Sequence, residues 1–267
     1  MFTAWWDEPA DGPTNMAADE ALAAEAERRG GLLMRLYGWS TTTISLGAFQ
    51  KIDDARLVGD IRGRPLVRRP SGGGAIVHGS DLTYAAAVPK SHPWGATPQV
   101  LYDALHAAMA EALAERGVDA RPYPTSDRAA DESLFFCFDR RSPGDLVVFQ
   151  GADRGVDWAA AGVTTAGSKV MGSAQRRLAG VVLQHGSLLL DGNAAVTGSA
   201  RHPAIRELFA ATRLTTPTEL AHAWLQRIAA ALQVKLQAEE SPFVRGREAE
   251  VAEFAHRFRE DRWTARR

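Results

Sequence analysis

Residues 68–75 combine side chains that suit the binding of a carbonyl or an anionic group: two arginines, a proline, a serine and three successive glycines. Glycines let the backbone approach a ligand closely and aim N–H groups at it, and adjacent arginines can hold a phosphate or carboxylate. The segment is not a P-loop, because no Gly-Lys-Ser/Thr follows. A glycine triplet alone is more often a flexible hairpin, but the arginines before it and His78 and Asp81 after it favour a binding site. The predicted binding residues are Arg68, Arg69, Ser71, Gly72, Gly73, Gly74, Ala75 and His78.

A second candidate is Lys169, which lies among the small residues of the segment 167–175. A partly desolvated lysine there can reach a ligand carbonyl and stabilise developing negative charge. A solvated loop lysine is the commoner case, but the chain is rich in arginine and its other lysines are only Lys51, Lys90 and Lys235. We therefore predict a catalytic role for Lys169, with binding contributions from its neighbours Gly172, Ser173 and Ala174.

Two further side chains have both a structural and a functional interpretation. His185 lies in an apolar strand and is more often structural, so we expect it, with Gly186, to form a wall of the pocket. Cys137 has strongly apolar neighbours, and a free cysteine in such a context is often simply buried. A nucleophilic Cys137 would need a cation such as Lys169, or backbone amides, to stabilise its thiolate.

The overall composition is that of a globular protein and limits the function classes. Of 267 residues, 45% are hydrophobic and 24% charged, and the net charge is −1, so no global attraction to nucleic acid or anionic membrane is expected. A single cysteine forms no internal disulfide and excludes a cysteine-cluster metal site; no metal ligands are predicted. With no secretory signal or membrane-length apolar run, we expect a cytoplasmic protein.

The elements that position these side chains follow from hydrophobic periodicity. They come in blocks rather than in strict βαβα alternation, which predicts an α+β fold with a central mixed, mainly antiparallel β-sheet flanked by helices. Residues 1–267 are expected to form one catalytic domain, and the segment 151–167 is expected to be a long functional loop. Helices are predicted at residues 15–28 (capped by Asn15), 99–115, 203–212, 218–232 and 248–258. Strands are predicted at residues 32–37, 42–46, 66–69, 75–78, 82–88, 134–138, 146–150, 169–171 and 181–190, with 66–69 and 75–78 paired across the glycines.

Taken together, these motifs resemble the lipoate-protein ligase, octanoyltransferase and biotin-protein ligase superfamily over nearly the whole chain. The 68–78 segment is similar to the family's Arg-Arg-x-Ser/Thr-Gly-Gly-Gly/Arg-Ala motif, which shapes the acyl pocket. Residues 169–175 resemble its Lys-Ile-x-Gly-Ser-Ala-Gln motif, whose lysine contacts the acyl carbonyl. The resemblance also covers Asn15-Met16-Ala17-Ala18-Asp19-Glu20, Leu36-Tyr37-Gly38-Trp39, Ser45-Leu46-Gly47-Ala48-Phe49-Gln50 and Gln184-His185-Gly186-Ser187.

Within the superfamily, the segment from Cys137 to Leu146 is most similar to the ligase-like octanoyltransferases, in which the cysteine accepts the acyl group. The Asp81-Leu82-Thr83-Tyr84 segment also resembles the transferases. Three features depart from their pattern: Arg140-Arg141-Ser142-Pro143 replaces the usual Pro-Ser order, Gly74 stands where transferases often carry arginine, and the segment before Lys169 is longer. The chain is also expected to lack the accessory C-terminal domain of many ligases.

The resemblance implies an acyltransferase that moves an octanoyl or lipoyl group from a carrier-protein thioester, through Cys137, to a lysine of a lipoyl-domain or glycine-cleavage H-type protein. Such a transfer requires no cofactor, whereas the alternative, a lipoate ligase, requires ATP and Mg and would leave Cys137 as core. A non-catalytic subunit of a split ligase is a third possibility. We expect a monomer with no nucleic-acid or membrane partner.

Overall fold

The computed structural model describes residues 1–57, 59–124, 134–149, 167–209 and 216–266. Its strands are β1 Phe2–Trp6, β2 Leu32–Tyr37, β3 Thr43–Leu46, β4 Leu66–Arg68, β5 Ile76–His78, β6 Leu82–Pro89, β7 Ala120–Pro122, β8 Leu146–Val148, β9 Ser168–Arg177, β10 Val181–Leu188 and β11 Leu236–Ala238. Its α-helices are α1 Gly12–Arg29, α2 Ile52–Leu57, α3 Pro93–Ala96, α4 Pro98–Ala114, α5 Ile205–Leu208, α6 Pro217–Leu232, α7 Glu248–Arg259 and α8 Asp261–Thr264. Short 3-10 turns occupy Gly59–Ile61, Cys137–Asp139 and Gly198–Ala200.

The larger sheet has the strand order β11-β1-β2-β6-β10-β9-β8-β7. β1 runs parallel to β2 and β11, and every other neighbouring pair is antiparallel. The predicted α+β fold with a mixed, mainly antiparallel sheet is therefore confirmed. Helices cover both faces, because each face of the sheet is apolar and must be shielded from water.

Helices α4 and α6 cover one face of this sheet, and α1 and α7 cover the other. The α6 side chain Trp224 is fully buried and its Nε1 donates to the Leu105 carbonyl at 2.8 Å, which joins α6 to α4. On the opposite face, Leu22 of α1 and Phe258 of α7 belong to one buried cluster. The two cores fix the sheet whose central strands carry the candidate site. No helix in the described part of the chain is long and apolar enough to cross a membrane.

The smaller sheet has β3 at its centre, with β4 parallel and β5 antiparallel to it. The predicted pairing of the two strands flanking the glycines is therefore wrong. The intervening loop passes around the end of β3 instead of forming a hairpin, because Arg69 N donates to the Leu46 carbonyl and Ala48 N donates to the Ser71 carbonyl, both at 2.8 Å.

Two other predictions need correction. Helix α1 begins at Gly12 and not after Asn15, because the Asp11 carboxylate caps it by accepting from Thr14 N at 2.8 Å. The strand predicted at 134–138 is wrong: only Phe136 bridges to Ala75, and the chain then turns into a 3-10 helix. The other predicted elements are present with shifted ends, although residues 151–166, like the ends of the 146–150 and 203–212 predictions, lie outside the described residues.

Candidate active site

The glycine loop lies against the turn that carries Cys137. Cys137 N donates to the Ala75 carbonyl at 2.8 Å, and Ala75 N donates to the Phe135 carbonyl at 2.9 Å. A Cβ on Gly74 would lie 2.7 Å from Cys137 N, which is closer than Cβ atoms approach other atoms in proteins. Glycine at this position therefore allows the cysteine turn to reach the loop.

A second glycine contact shapes the same loop. Gly73 has φ +93°, a conformation that favours glycine. A Cβ on Gly47 would meet the Gly73 carbonyl oxygen at 2.0 Å, so the segment after β3 packs directly on the loop. Gly72 is less constrained, because its Cβ would meet only the Phe49 ring at an ordinary 3.6 Å.

The two predicted arginines have different environments. Arg68 is fully buried, and its guanidinium donates to the carbonyls of Gly47, Gln50 and Thr264 at 2.7–2.9 Å. Trp263 Nε1 in turn donates to the Arg68 carbonyl at 3.0 Å. The structure thus joins Arg68 to the segment after β3 and to the C-terminal helix, and Arg68 does not line the cleft described below.

Arg69 does line the cleft, and its guanidinium spans the glycine loop. It donates to the Ser45 carbonyl and hydroxyl at 2.6 Å and to the Gly74 carbonyl at 2.8 Å. Burial lowers the pKa of Arg69 to about 10, while the negative charge of a Cys137 thiolate acts in the opposite direction. At neutral pH Arg69 is therefore a buried cation on the cysteine side of the loop.

Within the part of the chain that the structure describes, Lys169 is the cationic side chain in contact with the cysteine sulfur. Its Nζ lies 3.5 Å from Cys137 Sγ and 3.2 Å from the Cys137 carbonyl oxygen. It also forms an ion pair with Asp145 at 2.8 Å. Burial acts to lower the pKa of Lys169, but the charges of Cys137 and Asp145 outweigh it and raise the pKa above its ordinary value. The predicted pair of Cys137 and Lys169 is brought together, with the thiol half-buried.

Asp145 fixes the position of Lys169 and was not predicted as a site residue. The carboxylate is buried and accepts from Tyr102 OH at 2.7 Å and from Ser142 N at 2.7 Å. It precedes β8, whose Val147 pairs with Lys169 across the sheet. The available signal was an acidic residue directly before an apolar strand, in the segment that resembles the transferases.

Gly172 and Gly186 leave room for polar side chains around the lysine. A Cβ on Gly172 would lie 2.4 Å from Lys169 Cε, and one on Gly186 would lie 2.3 Å from Ser173 Oγ. Both glycines were predicted to belong to the binding pocket, and the structure shows that they pack closely against neighbouring side chains. A larger residue at position 172 would require Lys169 to move, and one at position 186 would also meet the Tyr84 ring and the Gly172 carbonyl oxygen.

Ser173 joins the cleft to a buried polar chain that the sequence did not reveal. Its hydroxyl lies 2.7 Å from His106 Nε2 and 2.6 Å from Tyr84 OH. Burial lowers the pKa of His106 to about 4, so the ring is neutral at neutral pH. Since His106 Nδ1 donates to the Gly144 carbonyl at 2.8 Å, Nε2 is left to accept from Ser173. These hydrogen bonds set the orientation of the Ser173 hydroxyl beside the cleft.

The predicted histidines His78 and His185 form the polar walls of the cleft. His78 lies between Asp81 and Ser45, at 2.8 and 2.7 Å, and stacks on Trp39 with ring centroids 3.9 Å apart. Burial lowers the pKa of His78, against the charge of Asp81. His185 lies between Asp19, at 3.0 Å, and the hydroxyl of Ser71. Both rings are therefore held by carboxylates behind them.

These elements line an open, mostly apolar cleft, whose empty space, including the part that is open to solvent, is about 420 Å³. Of the predicted residues it is lined by Arg69, Gly73, His78, Cys137, Gly172, Ser173, Ala174, His185 and Gly186. The other predicted residues, which do not line the cleft, are Arg68, Ser71, Gly72, Gly74, Ala75 and Lys169. The remaining lining residues, which were not predicted, are Met16, Tyr37, Trp39, Ile76 and Thr83. All five lie in segments that carry the resemblance, which was the signal available for them.

This arrangement places a thiol, a buried ammonium and an apolar cleft side by side, which suits acyl transfer. The family model for the lipoyl protein ligase A/B catalytic domain matches residues 11–220. The chain belongs to this family. The match includes the glycine loop, the cysteine turn and Lys169.

Among similar proteins of the family, the octanoyltransferase LipM of Geobacillus kaustophilus is 36% identical over 183 residues. That alignment covers 66% of this chain and 61% of LipM. The octanoyltransferase LipM of Bacillus subtilis is also 36% identical, over 186 residues covering 66% of this chain and 61% of that protein. The matched region thus spans about three fifths of these relatives.

Solved structures of lipoate ligases share the fold. A lipoate-protein ligase A bound with ATP has a TM-score of 0.70 at 19% identity, covering 99% of both chains. A bi-partite lipoate protein ligase from Thermoplasma acidophilum has a TM-score of 0.67 at 17% identity, covering 98% of this chain and 95% of that one. At these identities the likeness confirms the architecture alone.

Proposed function

We propose that this protein is an octanoyltransferase that moves a medium-chain acyl group from a thioester donor to a lysine of a lipoyl-domain protein through Cys137. The observation that carries the proposal is the 3.5 Å separation of Lys169 Nζ from Cys137 Sγ beside the apolar cleft. The similarity to octanoyltransferases at 36% identity supports the same activity. The lipoylation system of Thermoplasma acidophilum, whose bi-partite ligase acts with an E2 lipoyl domain and shares this fold, supports a lipoyl-domain acceptor.

In the first step, the Cys137 thiolate attacks the carbonyl carbon of the donor thioester and a new carbon–sulfur bond forms. The bond from that carbon to the donor sulfur breaks, and the donor leaves as a thiolate that takes up the proton lost by Cys137. A cation beside a thiolate offsets its charge, and Lys169 is buried, charged and held by Asp145 for that role. The same ammonium can stabilise the oxyanion of the tetrahedral intermediate. The acyl chain occupies the mostly apolar cleft, whose lining includes Met16 and Trp39.

In the second step, the neutral ε-amine of the acceptor lysine attacks the carbonyl carbon of the acyl-enzyme and a carbon–nitrogen bond forms. The bond from that carbon to the Cys137 sulfur breaks, and the proton lost by the nitrogen passes to the departing thiolate. Because an amide is more stable than a thioester, this step runs downhill without nucleotide, and we propose that neither ATP nor Mg is needed. An acyl carrier protein is the proposed donor, and the glycine-cleavage H-type protein is a further proposed acceptor. We propose that a monomer suffices, because the proposed catalytic groups come from one chain.

The competing activity is ATP-dependent lipoate ligation. In that mechanism Arg68, the glycines of residues 72–74 and Lys169 would bind an acyl-adenylate. Arg68 already donates to three backbone carbonyls, so its guanidinium would have to leave them to reach a phosphate. This arrangement favours the transferase over the ligase.

Parallel assays of the purified chain separate the two activities. One contains octanoyl-carrier protein without ATP, and the other contains free lipoate with ATP and Mg; both measure modification of a lipoyl domain. We expect transfer only in the first assay and its loss in Cys137→Ala. Modification that requires ATP, or full activity of Cys137→Ala, would contradict the proposal.

A further inference from the structure

Two exposed apolar side chains lie on the segments that meet at the glycine loop and the cysteine turn. Phe49 is 70% exposed, more than any other large apolar side chain that the structure describes, and Leu134 is 37% exposed. Contact between water and an aromatic ring is unfavourable, whereas burial of such a ring is a main source of binding energy in protein interfaces. A partner that covered these side chains would therefore gain affinity from them.

The turn that carries Phe49 is fixed by several hydrogen bonds. Gln50 N donates to the Gly47 carbonyl at 3.1 Å and closes the turn. The Arg68 guanidinium donates to the carbonyls of Gly47 and Gln50 at 2.8 and 2.7 Å, and Ala48 N donates to a carbonyl of the glycine loop. Because the backbone beneath the ring is already ordered, a partner that binds the ring loses little affinity to the ordering of that backbone.

One hydrogen bond joins the two segments that carry the exposed side chains. Gln50 Nε2 donates to the Phe135 carbonyl at 2.9 Å. Phe49 and Leu134 directly precede these two residues in the chain, and Cys137 follows Phe135 by two positions. Both apolar side chains therefore belong to the segments that frame the cysteine.

The Phe49 ring also borders the glycine loop where the loop reaches the cleft. A Cβ on Gly72 would lie 3.6 Å from this ring. Gly73, the next residue, lines the cleft, and Gly74 packs against Cys137 N. Two residues of extended chain span at most about 7 Å, so the exposed ring lies beside the reacting cysteine and not on a distant face.

Of the two protein substrates in the proposed function, the acceptor has to approach this region more closely. Its nucleophile stands at the end of a four-carbon stem, so its folded surface must come within one lysine length of the thioester on Cys137. A carrier protein instead presents its acyl group on a long prosthetic arm, which lets the body of the donor stay further away. Exposed side chains beside the cysteine are therefore expected to contact the body of the acceptor.

We propose, on the basis of the proposed function, that Phe49 and Leu134 form a docking surface for the acceptor protein, with the Phe49 ring as its anchor. The acceptor that fits carries an apolar patch beside the lysine that receives the acyl group. Docking strengthens binding of the acceptor and brings its amine to the thioester. It contributes nothing to the earlier acylation of Cys137.

The test compares wild type with Phe49→Ala, Leu134→Ala and a matched control, Trp6→Ala. Trp6 is an aromatic residue, 39% exposed, on β1, a strand outside the cleft lining. Acylation by octanoyl-carrier protein is followed by intact mass. The isolated acyl-enzyme is then chased with increasing concentrations of a lipoyl domain and, separately, with hydroxylamine, a small amine that needs no docking surface.

For Phe49→Ala we expect the second-order rate constant for transfer to the lipoyl domain to fall by at least about tenfold through weaker binding, because truncation of an aromatic interface anchor commonly has an effect of this size or larger. Leu134→Ala should show a smaller loss in the same direction. Acylation and cleavage by hydroxylamine should stay within about twofold of wild type in both variants, and Trp6→Ala should match wild type throughout.

Unchanged transfer to the lipoyl domain in Phe49→Ala would overturn the proposal. Three other results would also overturn it. An equal loss with hydroxylamine would assign the ring to the geometry of the glycine loop, slower acylation by the carrier protein would assign the surface to the donor, and a wild-type dimer that Phe49→Ala dissociates would assign it to a second copy of the chain. Failure of the proposed function has a different signature, because the wild-type chain would then form no acyl-enzyme.

Discussion

Replacing Gly74 by alanine tests whether the glycine loop sets the position of the nucleophile. The new Cβ would lie 2.7 Å from Cys137 N and 2.9 Å from Cys137 Cα, against an ordinary contact of 3.4 Å or more. Relief of this clash requires a displacement of about 0.5–0.7 Å, and both nearest atoms belong to backbone. A misplacement of about 1 Å at a reacting group can reduce a rate about 10²-fold.

We therefore expect Gly74→Ala to acylate Cys137 about 10- to 100-fold more slowly than wild type, with a stability loss of about 1–3 kcal/mol from overpacking. Gly72→Ala is the matched control in the same loop, because its Cβ would meet only the Phe49 side chain at 3.6 Å. Single-turnover acylation is measured by intact mass, and stability by urea unfolding. Wild-type acylation in Gly74→Ala, or equal losses in the two variants, would refute the reasoning.

Three further predictions follow from the buried polar groups. Asp145→Asn should destabilise the fold by about 3–5 kcal/mol in urea unfolding and slow acylation, because it leaves the buried Lys169 ammonium unpaired; unchanged values would contradict this. The folded-state pKa of His106 is lowered from 6.5 to about 4, so unfolding stability should fall by about 3 kcal/mol as pH decreases from 6.5 to 4; this component should be absent in His106→Gln. Trp263→Phe, which removes the donor to the Arg68 carbonyl, should raise KM for the acyl donor more than it lowers kcat; unchanged steady-state kinetics would show that this contact does not position the loop.

The sequence predicted the fold class because strands and helices occur in blocks with clear periodicity. It predicted Cys137 and Lys169 through motif resemblance. It wrongly predicted a strand at residues 134–138, because the run of apolar residues around the cysteine has the composition of a strand. The bridge from Phe136 to Ala75 ends that extended segment, and it is a tertiary contact.

The role of Arg68 was equally hidden from local sequence. Its guanidinium meets the carbonyl of Thr264, 196 positions away, so no motif could show that it is enclosed. Asp145 and His106 also depend on long-range contacts, with Lys169 and Ser173 respectively. The sequence motifs identified residues that have local signatures. They did not identify the side chains that hold those residues in place through long-range contacts.

A chase of the isolated acyl-enzyme tests most directly whether Cys137 carries a covalent acyl intermediate. Because Cys137 is the only cysteine of the chain, a hydroxylamine-sensitive acyl adduct can be assigned to it without mapping. We predict that acyl-enzyme freed of donor transfers its acyl group to a lipoyl domain without ATP, and that Cys137→Ala forms no adduct and transfers nothing. An adduct that persists in the presence of acceptor, or acyl transfer by Cys137→Ala at the wild-type rate, would contradict the account.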